Sequence, residues 1–506
     1  MILRNLAPTK ISTIEHVQKM KKILAATMFM AAALGVSAQA PDSVTAGTRV
    51  PAIAPADTSV TLSLERCLEI ALSDNPSIKV ADMEITRYDY SRKEILGQLL
   101  PSVSFGVNYN RMLAKQVAYM NMDGFPSMGG GDGEEGDTPE SRAGKDGDAG
   151  IKMGLDNSWS MGFNASLPLI APQIWKSLKI SDAQIYQQVI TAQNSRLELV
   201  NNVKSAYYQL LLALDSKKTL EESYQMALFT ADIYQKQYEL GTASRYDVLR
   251  TSVQVKNVEP ELAQADISIK RAQLQLSVLM GLSGHITIQP TVSLNDYEKT
   301  MLSDAMEATS LRHSSEANPQ LRLLDAQTTL VSRNLDMQKA AWWPTLALSA
   351  NYNWTSSSNG NPFANFRWNP YSVLGLTLNV PLFEGGQRYN RIRQARVQLD
   401  EMALNRQDLK NSVDMQIDLA VDNMNTNVKQ VGSCAESVKQ AVMAHDIASE
   451  SFKIGATSYL ELRDSELALT RSRLAYYQAI YNYLIARSEL ELLTGSFDLN
   501  AFTPAQ

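Results

Sequence analysis

The sequence predicts a mainly α-helical chain with a small β part, laid down twice as a helix–strand–strand–long helix–helix unit. Three observations predict it. Landmark residues recur along the chain, four short segments alternate strictly between apolar and polar residues, and two runs of about 68 residues contain almost no helix breaker.

The recurrence comes first because it orders the rest. Asn75-Pro76 returns as Asn318-Pro319, Pro101 as Pro344, and Asn108-Tyr109-Asn110 as Asn351-Tyr352-Asn353, each 243 residues on. Farther along the spacing drops: Pro168 matches Pro381 at 213, while Gly241 and Gly281 match Gly455 and Gly495 at 214. The change of about 30 falls within one segment of the first copy, 111–157. Register kept on both sides of a single insertion marks a duplication. The first unit is set at 63–290, the second at 291–495, and a tail at 496–506. The inserted segment is Gly-rich and acidic around Gly129–Asp137, too poor in apolar residues to build a core. Its methionines Met120, Met122 and Met128 are read as exposed loop residues rather than soft-metal ligands.

The alternating segments lie at about 101–110, 158–169, 344–354 and 371–382. In the first, Val103, Phe105, Val107 and Tyr109 alternate with Ser102, Ser104, Gly106 and Asn108. Such a segment, about 10 residues with one apolar and one small polar face, suits a strand that crosses a membrane. All six tryptophans (Trp159, Trp175, Trp342, Trp343, Trp354, Trp368) fall in or beside these segments, and indoles gather at membrane interfaces. Four strands cannot close a barrel, and an open edge is not tolerated in lipid, so several chains must build one barrel.

The helices are expected at 75–99, 173–240, 246–281, 318–341, 386–454 and 459–494. The two long ones would each measure about 100 Å. Gly241 and Gly455 are their stop residues, and Asn318 followed by Pro319 reads as a cap with proline at the first helical position. Each long helix is answered by a medium and a short one, giving two antiparallel helical hairpins below the strands.

Composition narrows the function. The chain has 506 residues, is 44% hydrophobic and carries a formal net charge of −6, which gives no reason to expect a nucleic-acid partner. Cys67 and Cys434 make no disulfide framework, and His285, His313 and His445 are isolated, so neither a metal nor a cofactor is expected. No catalytic motif is present, and no enzymatic activity is expected. The start does carry a message: Met20-Lys21-Lys22, an apolar run from Ile23 to Val36, then Val36-Ser37-Ala38, the layout of a secretory signal. Residues 1–38 are therefore set apart as upstream extension and signal peptide, and 39–62 as a linker. No later run is long and apolar enough for a transmembrane helix.

Together, the duplicated unit, the passage Val380-Pro381-Leu382-Phe383-Glu384-Gly385-Gly386 and the paired turns at Gly241 and Gly455 resemble the TolC-like family of outer-membrane efflux proteins. The resemblance covers about Leu64 to Gly495. It implies a homotrimer whose 12-stranded outer-membrane β-barrel continues into a 12-helix periplasmic α-barrel. It also implies export from the periplasm or an inner-membrane pump to the exterior, with a periplasmic adaptor and an RND-type or ABC-type inner-membrane transporter as partners. Type I protein secretion is the alternative within this family, and a periplasmic helical scaffold outside the membrane is the alternative from another class. The resemblance places the entrance at the two turns. Asp247 matches a family aspartate that locks the tip, but Phe452 and Thr457 stand where its tyrosine and arginine partners would be. Arg245 and Tyr459 are then the substitute gate candidates, and Glu461 and Asp464 match an acidic pore ring.

Overall fold

The computed structural model describes residues 59–119, 150–282, 287–301, 315–361, 367–497 and 499, all within the compact unit Pro55–Gln506. The expected signal segment, most of the 39–62 linker, most of the 111–157 insertion and most of the tail lie outside the described residues, as do His285 and His313.

The main sheet has four strands, β2 (Ser102–Arg111), β5 (Asn157–Ile170), β7 (Thr345–Ser358) and β8 (Asn369–Asn379), in the order β2-β5-β7-β8 and all antiparallel. The register keeps like with like. Phe105 pairs with Phe163 and Phe163 with Tyr352, while Ser104 pairs with Asn164 and Asn164 with Asn351. One face of the sheet is therefore apolar and the other lined with small polar side chains. Aromatic rings touch across the strands on the apolar face, Phe105 on Phe163 at 4.9 Å and Tyr109 on Trp159 at 4.5 Å between centroids. Pro168, which cannot donate to a ladder, coincides with a register shift between Pro168 and Ile170.

Helices continue from the strands. α3 (Pro172–Glu239) and α6 (Gln387–Lys453) have 68 and 67 residues. α4 (Arg245–Leu279) and α7 (Tyr459–Thr494) return beside them, and the climb is completed by α5 (Pro319–Ala340) and α2 (Pro76–Gly97). Pro260 lies inside α4 without ending it. Among the described residues no helix is long and apolar enough to cross a membrane.

The two copies share a joint that shows why the repeated residues recur. Asn75 caps α2 by accepting from the Ser77 N–H at 2.8 Å, and its amide donates to the Leu279 carbonyl at 2.7 Å. Asn318 accepts from the Gln320 N–H at 2.9 Å and donates to the Leu493 carbonyl at 2.8 Å. Each asparagine thus begins one helix and docks it on the last turn of another. Gly281 and Gly495 follow those last turns. A Cβ on Gly281 would stand 2.7 Å from the Asp74 carbonyl oxygen, and Gly495 meets Ala317 in the same way.

Four elements are not marked by the sequence pattern. α1 (Leu64–Asp74) precedes α2 as a separate helix; β1 (Ser59–Leu62), inside the expected linker, pairs in parallel with β6 (Thr287–Pro290); and a 3-10 helix follows at Leu294–Thr300. The insertion, expected as loop throughout 111–157, begins and ends as a hairpin of β3 (Gln116–Tyr119) and β4 (Gly150–Met153). The main core gathers around the middle of the long helices. Val203, Tyr207 and Leu210 of α3 and their repeat counterparts Ile417, Val421 and Met424 of α6 are fully buried there, with Tyr483 of α7 and Ile288 of β6.

Candidate functional site: the paired helical turns

Both turns are built by the same short code. α3 ends with Gly241 at φ 76°, its N–H donating to the Tyr238 carbonyl at 2.9 Å and that of Thr242 to the Gln237 carbonyl at 2.8 Å. α6 ends with Gly455 at φ 72°, its N–H donating to Phe452 at 3.0 Å and that of Ala456 to Ser451 at 2.8 Å. These paired bonds are a Schellman closure, which requires a left-handed residue and so favours glycine. Three residues after each glycine a serine opens the next helix. The Asp247 N–H donates to Ser244 Oγ at 3.2 Å while the Ser244 N–H donates to Asp247 Oδ2 at 3.3 Å. At the second turn the Glu461 N–H donates to Ser458 Oγ at 3.4 Å and the Ser458 N–H to Glu461 Oε2 at 3.3 Å. Thr457 Oγ1 also donates to Glu461 Oε2.

This bonding revises how the candidates relate to one another. Asp247 and Glu461, given separate roles from the sequence, occupy the same capping-box position in the two copies. The motif Ser-x-x-Asp/Glu carries that equivalence and is legible in the chain. Asp464 lies exposed one turn beyond Glu461, its Oδ1 3.3 Å from Arg463. Arg245 is exposed and bonds neither Asp247 nor any other carboxylate among the described residues.

Tyr459 is the candidate that the structure buries, to 8% exposure. Its ring stands edge-to-face on Tyr234 of α3 at 5.4 Å, and the Arg250 guanidinium of α4 lies over it at 4.8 Å. Tyr234 also touches Phe452 of α6 at 6.2 Å. Burial pushes the Tyr459 and Tyr234 phenols up from their ordinary value, so both rings are neutral at neutral pH. Two turns up α7, burial lifts the Glu466 carboxyl to about 7. Arg250 and Glu466 were not singled out in the sequence, because contacts between separate helices leave no local spacing to read.

The outer membrane efflux protein family model matches residues 67–282 and again 311–496. TolC, an outer membrane protein of Escherichia coli (strain K12), is 19% identical over 334 residues, which span 64% of this chain and 66% of TolC. The alkaline protease secretion protein AprF of Pseudomonas aeruginosa is 25% identical over 309 residues, 60% of this chain and 62% of AprF. The alignments thus span slightly less than two thirds of either relative. The open-state crystal structure of the Neisseria gonorrhoeae MtrE outer membrane channel superposes with a TM-score of 0.63 at 16% identity, covering 85% of this chain and 88% of that one. With the family matched once over each copy of the unit, and the fold shared with a channel of that kind, the chain belongs to the outer membrane efflux protein family.

Proposed function

We propose that the chain is one of three identical subunits of an outer-membrane channel that exports substrates from the periplasm or an inner-membrane pump to the exterior. The observation that carries this reading is an incomplete repeat. α5 packs against both α3 and α6, whereas its counterpart α2 packs broadly against α3 alone among the long helices. Met83 on α2 is 69% exposed where its counterpart Ala326 on α5 is 1% exposed. In the sheet, β5 and β7 are flanked on both sides while β2 and β8 are open edges. Each gap is filled if β8 and α6 of one copy meet β2 and α2 of the next.

The contacts within the chain say how they would meet. Ser177 Oγ of α3 lies 3.5 Å from Met337 of α5. Carried over by the repeat spacings, the same contact between copies would bring Arg391 opposite Glu94 of the neighbouring copy, a pair of opposite charges. The pairing of Phe163 with Tyr352 likewise carries over to Leu376 opposite Tyr109, which keeps the apolar faces together. Three copies would give the twelve strands and twelve helices that the family resemblance implies.

On this reading the strands lie in outer-membrane lipid, the long helices reach into the periplasm, and the turns form the inner entrance. Arg245, Asp247 and Tyr459 are the entrance residues and Glu461 and Asp464 an acidic ring around the passage. The partners are a periplasmic adaptor and an RND-type or ABC-type inner-membrane transporter, and no reaction is catalysed. Similarity to AprF, named for protease secretion, keeps type I protein export as the second reading. The purified protein should migrate in a heat-modifiable manner and conduct ions across planar bilayers. A heat-insensitive protein, absent from the outer-membrane fraction and silent in bilayers, would point to the periplasmic scaffold instead.

A further inference from the structure

Positive charge collects where the helices leave the main sheet. The stretches that flank the strands on the helix side are 87–100, 171–182, 333–344 and 381–396. They hold eleven lysines and arginines against five aspartates and glutamates, although the whole chain has a formal net charge of −6. Trp175, Trp342 and Trp343 fall in the same stretches, and all three are exposed.

The excess is sharpest around one carboxylate. Asp336 of α5 has Lys176 of α3 at 3.9 Å, Arg333 at 4.0 Å and Lys339 at 3.7 Å. These separations are too long for hydrogen bonds, and the three cations pair with no other carboxylate among the described residues. One negative charge thus faces three positive ones on partly exposed side chains, and a further anion would relieve their mutual repulsion. In the first copy the place of Asp336, 243 residues earlier, is taken by Lys93. A second arrangement recurs in both copies. Trp175 is followed four residues on by Lys179, and Tyr389 by Arg393, 214 residues later. All four are exposed at the start of the long helices, and the Arg393 guanidinium lies over the Tyr389 ring at 4.4 Å. Neither Lys179 nor Arg393 pairs with a carboxylate among the described residues.

The distances suit a membrane boundary. Lys176 lies six residues beyond Ile170, the end of β5, and Lys339 six before Thr345, the start of β7. Six residues of helix span about 9 Å. The headgroup layer is about 5–8 Å thick on each side of the hydrocarbon, and long basic side chains extend their charge toward it.

We propose that this belt binds anionic phospholipid, with the lipid phosphate held by Lys176, Arg333 and Lys339 and the acyl chains beside the exposed tryptophans. The proposal rests on the reading of the strands as membrane-spanning and adds a lipid preference to it. A phosphate diester brings the negative charge that Asp336 alone does not supply, and its oxygens match the paired donors of a guanidinium. The indoles take the boundary place where an apolar ring meets water. A free phosphate ion matches the cations but leaves the tryptophans without a partner.

The test uses the full-length protein purified in detergent and titrated with phosphatidylglycerol, phosphatidylcholine or inorganic phosphate. Native mass spectrometry counts the lipid retained, and thermal unfolding reports whether each variant is folded. Phosphatidylglycerol should be held about tenfold more tightly than phosphatidylcholine, and high salt should erase the difference. Lys176→Gln, Arg333→Gln and Lys339→Gln together should abolish the preference without changing unfolding in phosphatidylcholine. Asp336→Asn should sharpen it about threefold, because the carboxylate that competes with the phosphate is gone. A triple variant with the wild-type preference, or an Asp336→Asn variant with a weaker one, overturns the site and leaves the cations as partners of Asp336 only. Displacement of phosphatidylglycerol by an equal concentration of inorganic phosphate also overturns it, in favour of a soluble-anion site. Indifference to phosphatidylglycerol in a protein that conducts ions overturns the lipid surface and leaves the channel standing. A protein that enters no bilayer overturns both.

Discussion

At the scale of single residues, a side chain that builds the fold is also one of the residues proposed for the passage. Glu461 accepts from Ser458 and Thr457 to begin α7, and it is also a ring candidate. The two roles separate on substitution. Glutamine at this position can still complete a capping box, so Glu461→Gln removes charge while keeping the helix start. Combined with Asp464→Asn, it should lower cation selectivity and the block by multivalent cations, with assembly intact, because fewer carboxylates would concentrate cations in the passage. A double variant with the wild-type reversal potential would place both residues on a solvated flank. Ser458→Ala should do the opposite, costing about 1 kcal/mol of helix stability with selectivity retained, as thermal unfolding beside bilayer recordings would show.

At the scale of elements, the long helices were legible because proline and glycine mark their ends and nearly nothing interrupts them. Gln387–Lys453 and Tyr459–Thr494 follow directly from Gly386, Gly455 and Gly495. β1 and β6 were not legible, since each has four residues and exists only through a parallel pairing with the other end of the unit. The insertion concealed β3 and β4 for a related reason: Gly-rich acidic composition dominates the segment, and the hairpin occupies only its ends. α7 also carries a pH dependence. An ordinary glutamate ionises near 4.5, but in the fold burial holds Glu466 protonated to about 7. Between these values the folded chain binds more protons than the unfolded one, so stability falls as pH rises through that interval and levels off above it. Glu466→Gln should therefore stabilise the protein at pH 8 by on the order of 1–2 kcal/mol, allowing for partial solvent access, and leave it unchanged near pH 4. Denaturation at the two pH values measures this, and equal gains at both would show that the carboxyl ionises alike in the folded and unfolded chain.

At the scale of the whole molecule, the duplication supplies a pattern that the proposed assembly would repeat. The contact of α3 with α5, and of β5 with β7, joins the two copies within one chain. The same geometry, repeated between chains, would close a ring and cover the edges that lipid cannot tolerate. Exposed apolar residues along the open side, including Val80 and Met83 on α2 and Leu404 on α6, are then buried by the neighbour. The most direct measurement is a cross-link between the open edges. Tyr109→Cys and Leu376→Cys lie on β2 and β8, opposite edges of one sheet, where they cannot pair within a chain. Oxidised in the outer membrane and run under denaturing, non-reducing conditions, the double variant should give covalent dimers and trimers, with the ladder ending at three chains. Monomers alone, or a ladder that continues beyond three, would contradict the closed three-chain channel.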